Sequence, residues 1–179
     1  MARFVSLLKG INVGGKNIIA MKEVVRLHEQ LGLSDVRSYL QSGSICFSSQ
    51  EGDEGKIERK IKAALSEAMG RDISVVIRSG ADMKSILRRN PYPKETEREP
   101  NRVFVGFLSA KPTRDAVSVL GEFVSPGERF IVHGTEMYLH LSNGAGNAKL
   151  TGAVIERRLK VLVTARNMNT VRGLVELCE

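Results

Sequence analysis

The chain has 179 residues, 42% hydrophobic and 26% charged, the composition of a globular protein with room for one large or two small domains. No apolar run reaches membrane-spanning length and the stretch after Met1 is too short for a secretory signal, so a cytoplasmic protein is expected. A net charge of +7 and an isoelectric point of about 9.6 lean toward an anionic partner such as nucleic acid, a nucleotide or a phosphorylated metabolite, although solubility alone accounts for a charge of this size.

Phe4–Leu8 is apolar at both parities, which predicts a strand covered on both faces. Gly10 to Ala20 reads as a loop. Met21, Val24, Val25, His28 and Leu31 follow helical spacing, and Gly32 closes that helix. Val36–Leu40 and Ser44–Ser48 flank Gln41-Ser42-Gly43, a hairpin signal. Ile57, Ile61, Leu65 and Ala68 form one apolar stripe of a longer helix that stops near Gly70. Ile73–Ile77 is a fourth strand, and Met83, Ile86 and Leu87 mark a short helix ended by Pro91. Asn90–Asn101 carries three prolines, mixed charge and no apolar period, and reads as a linker.

The order then repeats. Val103–Leu108 is a strand, Thr113 caps a helix through Phe123, and Glu128–Val132 with Met137–Leu141 makes a second hairpin. Ser142–Asn147 is a glycine-rich loop. Leu150, Val154, Ile155 and Leu159 share a helical face, Val161–Ala165 is the last strand, and Val171, Leu174, Val175 and Cys178 belong to a last helix. An offset of 88 residues carries Arg78 onto Arg166, Met83 onto Val171 and Ile86 onto Leu174. The expected fold is α+β, two ferredoxin-like βαββαβ lobes in tandem, each with an extra helix, as an internal duplication. The lobes are placed at 1–90 and 102–179, with a linker at 91–101.

Gly10-Ile-Asn12-Val-Gly14-Gly15-Lys16-Asn17 matches the phosphate loop G-x-x-x-x-G-K up to its last position, where Asn17 replaces the Ser or Thr that magnesium requires. Three residues also separate it from the helical period, so a nucleoside triphosphatase is not expected. Adjacent glycines still allow backbone N–H groups to converge on an anion beside Lys16. A tight turn that needs glycine for positive φ is the structural alternative. Gln41 and Ser42 of the hairpin, Arg78, Arg166 and Asn167 complete the candidate anion set with Asn12, Gly14 and Gly15. The two arginines hold equivalent strand ends, where surface arginines are the plain alternative. Asn169 or Thr170 is the expected N-cap of the last helix.

Val103–Leu108 looks like the first-strand motif of an RNA-recognition domain, in which strand aromatics stack bases. The partner strand offers only Tyr138 and His140, so Phe104 is expected in the core. His28 reads as a packed histidine, and His133 and His140 have no third ligand at metal spacing. Cys46 and Cys178 lie far apart with no partner spacing, so neither a disulfide framework nor a zinc site is expected. No Ser-His-Asp or Cys-His pairing is readable and no motif names a cofactor.

Leu7–Asn17, Tyr39–Gly43, Asn90-Pro91 and Thr164–Val171 resemble the bacterial domain-of-unknown-function family 1697. Two departures from its pattern stand out: Ser44 where the family usually reads Asn, and Met168 where it usually reads Trp. The resemblance implies a single-chain α+β protein of two related lobes and implies no activity, substrate or catalytic residue. The leading expectation is a cytoplasmic binding protein for a small phosphorylated or nucleotide-like anion. The alternatives are an RNA or single-stranded DNA binder using the basic surface and second lobe, an uncharacterised enzyme with a cleft between lobes, and an interaction module.

Overall fold

The computed structural model describes residues 1–12, 15, 18–41 and 43–179. Its first sheet joins β1 (Ala2–Leu8), β2 (Ser34–Tyr39), β3 (Ser44–Ser49) and β4 (Val75–Ser79) in the order β2-β3-β1-β4. Helices α1 (Met21–Gln30) and α2 (Glu54–Met69) follow β1 and β3, and α3 (Gly80–Arg88) follows β4. The second sheet joins β5 (Val103–Leu108), β6 (Arg129–His133), β7 (Glu136–His140) and β8 (Val163–Asn167) in the order β6-β7-β5-β8. Helix α4 (Pro93–Arg98) precedes it, and α5 (Arg114–Val119), α6 (Gly152–Leu159) and α7 (Met168–Leu177) complete the chain. All pairings are antiparallel. Both sheets thus have the ferredoxin-like order, twice over.

The duplication holds at the level of register. Val5 pairs with Arg78 and Cys46, while Val105 pairs with Arg166 and Tyr138. The Leu8 amide donates to the Gly43 carbonyl at 2.8 Å, and the Leu108 amide donates to the Thr135 carbonyl at 2.9 Å. Likewise Lys9 N–H reaches Ser74 O and Ser109 N–H reaches Leu162 O, both at 3.0 Å.

The chain forms two compact units, Met1–Ser85 with Arg172–Glu179, and Ile86–Val171. In the first, Phe4, Leu8, Ile45, Phe47, Val75 and Ile77 face the apolar stripe Ile57-Ile61-Leu65 and the α1 residues Val24 and Leu27. In the second, Leu108, Met137, Leu139 and Val163 meet Leu120, Ile155 and Leu159. Helix boundaries follow local chemistry. The Asp53 carboxylate accepts from Lys56 N–H at the start of α2, and Gly70 ends it at φ +64°.

Three local expectations change. The stretch 91–101, read as a linker, holds α4 with Tyr92 and Thr96 buried; Pro93 suits a first helical turn, and six residues are too few to show a period. The helix expected from Thr113 to Phe123 is α up to Val119 and 3₁₀ from Leu120 to Phe123. Cys46 and Cys178, read as unrelated thiols, are joined as a disulfide across 132 residues of sequence with Cα atoms 5.9 Å apart. Sequence spacing says nothing about that pairing, because the sheet brings β3 and the last turn of α7 together only after folding.

Candidate functional site

Two segments meet at one end of the first sheet: the loop between β1 and α1, and the turn between β2 and β3. Gly43, at φ +68°, lies so close to Ile11 that a Cβ there would stand 2.8 Å from its Cγ1 and 3.3 Å from Leu8 Cβ. Ile11 is itself buried, so the turn is seated on the loop. Asn12 closes the loop at its base. Its Oδ1 accepts from Ile19 N–H at 2.9 Å and its Nδ2 donates to Ile19 O at 3.1 Å.

Left-handed backbone is concentrated here. Gly10 (+67°), Asn12 (+52°) and Gly15 (+72°) hold it in the loop, and Leu40 (+53°) and Gly43 (+68°) in the turn. A bulky residue such as Leu40 at positive φ is strained by about 1–3 kcal/mol, and its side chain is exposed rather than buried in return. Ile18 is also exposed. Gly15 and Gln41 are exposed. Gly14, Lys16, Asn17 and Ser42 lie outside the described residues.

The remaining candidates lie on β4 and β8. Arg78 is buried on β4 in the first unit, where its guanidinium donates to the Ile77 carbonyl at 2.8 Å. Arg166 belongs to the second unit and donates to Thr164 Oγ1 and Ala165 O, both at 2.8 Å. Burial pushes its guanidinium down to about 10, which leaves it charged at neutral pH. Asn167 is the N-cap of α7: its Oδ1 accepts from Thr170 N–H at 3.0 Å. The cap expected at Asn169 or Thr170 is thus Asn167. Ser44 and Met168, which depart from the family pattern, are fully buried.

Among the described residues no group of three or more His, Cys, Asp or Glu is placed to hold a metal ion. His28 is buried, donating from Nδ1 to Val24 O and accepting at Nε2 from the Ser6 hydroxyl, both at 2.8 Å. Burial pushes its pKa down to about 4, so it is the neutral Nδ1–H tautomer. Phe104 packs against the core of the second unit, and Tyr138 is buried with its hydroxyl on the Ile86 carbonyl at 2.8 Å. The Tyr138 ring is therefore closed to base stacking, while Phe104 is partly buried.

Sequence reasoning missed a cavity of about 420 Å³ at the opposite end of the first sheet, where Ala2 pairs with Ser49. Leu31, Leu33, Ile57 and Ile61 give it an apolar floor, with Glu51 and Lys60 among its lining residues. Its walls come from separate turns and one helix face, so no continuous motif encodes it.

A model of the family described as "Protein of unknown function (DUF1697)" matches residues 1–138. The chain belongs to the DUF1697 family. The match covers the loop, the turn and both sheets as far as Tyr138 in β7. The structure of the conserved bacterial protein SP0830 from Streptococcus pneumoniae is similar to this DUF1697 chain over 99% of each, with a TM-score of 0.75 and 23% identity. That likeness shows a shared two-lobed fold. No curated protein matches this chain. Among the described residues no helix is long and apolar enough to cross a membrane.

Proposed function

We propose that this DUF1697 protein binds a small phosphorylated or nucleotide-like anion at the loop and turn of its first unit. The observation that carries the reading is the clustering of left-handed residues in two segments locked together through Gly43 and Ile11. Alternating left- and right-handed backbone turns neighbouring N–H groups to one side, where they attract an anion. Strain at an exposed leucine adds nothing to packing, and such strain concentrates at binding sites. The net charge of +7 favours the same partner class. In this reading Gly14, Gly15, Lys16, Asn17, Gln41 and Ser42 contact the anion, and Asn12 positions the loop.

The test is thermal stability with inorganic phosphate, nucleotides, phosphorylated sugars and short oligonucleotides, at low and high salt. A true ligand at about a hundred times its dissociation constant stabilises the fold by about 2.7 kcal/mol. The expected outcome is a salt-tolerant shift with one small anion that disappears in Lys16→Ala and weakens in Gln41→Ala. A shift with oligonucleotides alone, fading steeply with salt, replaces the proposal with nucleic-acid binding. No shift with any anion rejects it.

A further inference from the structure

We propose that Cys46 and Cys178 are a reversible thiol–disulfide pair whose oxidation state sets the order of the turn that starts at Tyr39. The proposal does not depend on the turn binding an anion. It rests on two contacts made by the same short stretch of chain. Cys178, just beyond α7, is bonded to Cys46 on β3. Five residues earlier, Gly173 leaves open the place where the Tyr39 ring lies; a Cβ at Gly173 would overlap the Tyr39 hydroxyl and ring carbons. Tyr39 is the last residue of β2 and pairs with Ser44, so it is the hinge post of the strained Leu40–Gln41 turn. The disulfide therefore fastens the helix segment that Tyr39 rests on.

The segment is also held by Leu174, which is fully buried, and by one exposed ion pair. Lys84 Nζ and Glu179 Oε1 form an exposed pair at 3.1 Å, and such pairs contribute little. Cys178 Sγ lies 3.9 Å from the Phe4 carbonyl. Both cysteines are buried, and the attack falls on Cys178 Sγ because a chain end just beyond a helix opens locally at low cost, whereas Cys46 lies in an interior strand of the sheet. The exchange runs in two steps. The thiolate of an external dithiol attacks Cys178 Sγ, the protein S–S bond breaks, and Cys46 leaves as a thiolate and takes up a proton. The second thiol of the dithiol then displaces Cys178 as a thiol and closes the external disulfide, so two electrons pass from the dithiol to the protein.

Hydrogen exchange on the full chain, with a parallel thiol count, decides the matter. Oxidised protein treated with excess dithiothreitol and no denaturant is expected to expose two thiols. Amide exchange then rises about tenfold or more at Tyr39–Gln41 and at 172–179, is unchanged in α5 and α6, and returns to its starting rate after oxidised glutathione. Cys178→Ser is expected to show the reduced pattern without reagent; the wild-type comparison stands even if that variant folds poorly. Three results overturn the proposal: a bond that resists the dithiol until the protein is unfolded, two free thiols that oxidised glutathione cannot join, or full reduction with no change at Tyr39–Gln41.

Discussion

His28 shows how one buried group makes stability depend on pH. Its folded-state pKa of about 4 lies below the ordinary value of 6.5, so between these values the unfolded chain binds the extra proton. Stability is therefore complete above about pH 6.5 and is lost as pH falls toward 4, by up to about 3 kcal/mol. Urea titrations at intervals across this range are expected to show that slope, and His28→Gln is expected to flatten it. Gly43 is a second residue-scale constraint. Alanine there must adopt φ +68° and place its Cβ 2.8 Å from Ile11 Cγ1. The expected cost of Gly43→Ala is about 1–3 kcal/mol by denaturant unfolding. If the loop and turn form the proposed site, the variant also loses the anion-induced thermal shift.

At the scale of elements, capping separates structural polar residues from candidates for binding. Asn167 satisfies the Thr170 amide at the start of α7, so Asn167→Ala is expected to lower stability by about 1 kcal/mol, measured by chemical denaturation, and to leave anion binding intact. Asn12 differs because its two hydrogen bonds to Ile19 set the shape of the loop. Asn12→Ala is expected to weaken the anion-induced shift as well as stability, the latter by about 1–2 kcal/mol. Periodicity located the strands and longer helices of the described residues, since a stripe of Ile57, Ile61 and Leu65 has one reading only. It failed at α4, where six residues complete fewer than two turns, and at the start of α7, where Asn167, Asn169 and Thr170 are all chemically competent caps. Which of them caps depends on where β8 ends, and sheet pairing with β5 decides that.

Over the whole molecule, the last residues of the chain belong with the first unit. Arg172–Glu179 supply the partner of Cys46, the glycine under Tyr39 and the carboxylate beside Lys84. Removing residues 172–179 is therefore expected to raise amide exchange in β2 and β3 more than in β6 and β7. The disulfide closes a loop of more than a hundred residues, for which loop-closure entropy predicts about 5 kcal/mol of stabilisation. Calorimetry of oxidised against reduced protein measures that difference directly, as a fall in Tm of about 10 °C or more.

Sequence alone determined the doubled α+β order, because apolar period is a local property that survives divergence between the halves. It marked Arg78 and Arg166 as equivalent, and strand pairing agrees, since Val5 meets Arg78 and Val105 meets Arg166. It also singled out the glycine-rich loop and the turn as unusual backbone. Only the tertiary structure decided that Gly43 seats the turn on Ile11, that Asn12 braces the loop, that Asn167 is a cap, and that Cys46 meets Cys178. These are contacts between groups distant in sequence or choices among equivalent neighbours, and sheet register and helix packing select them after the local elements have formed.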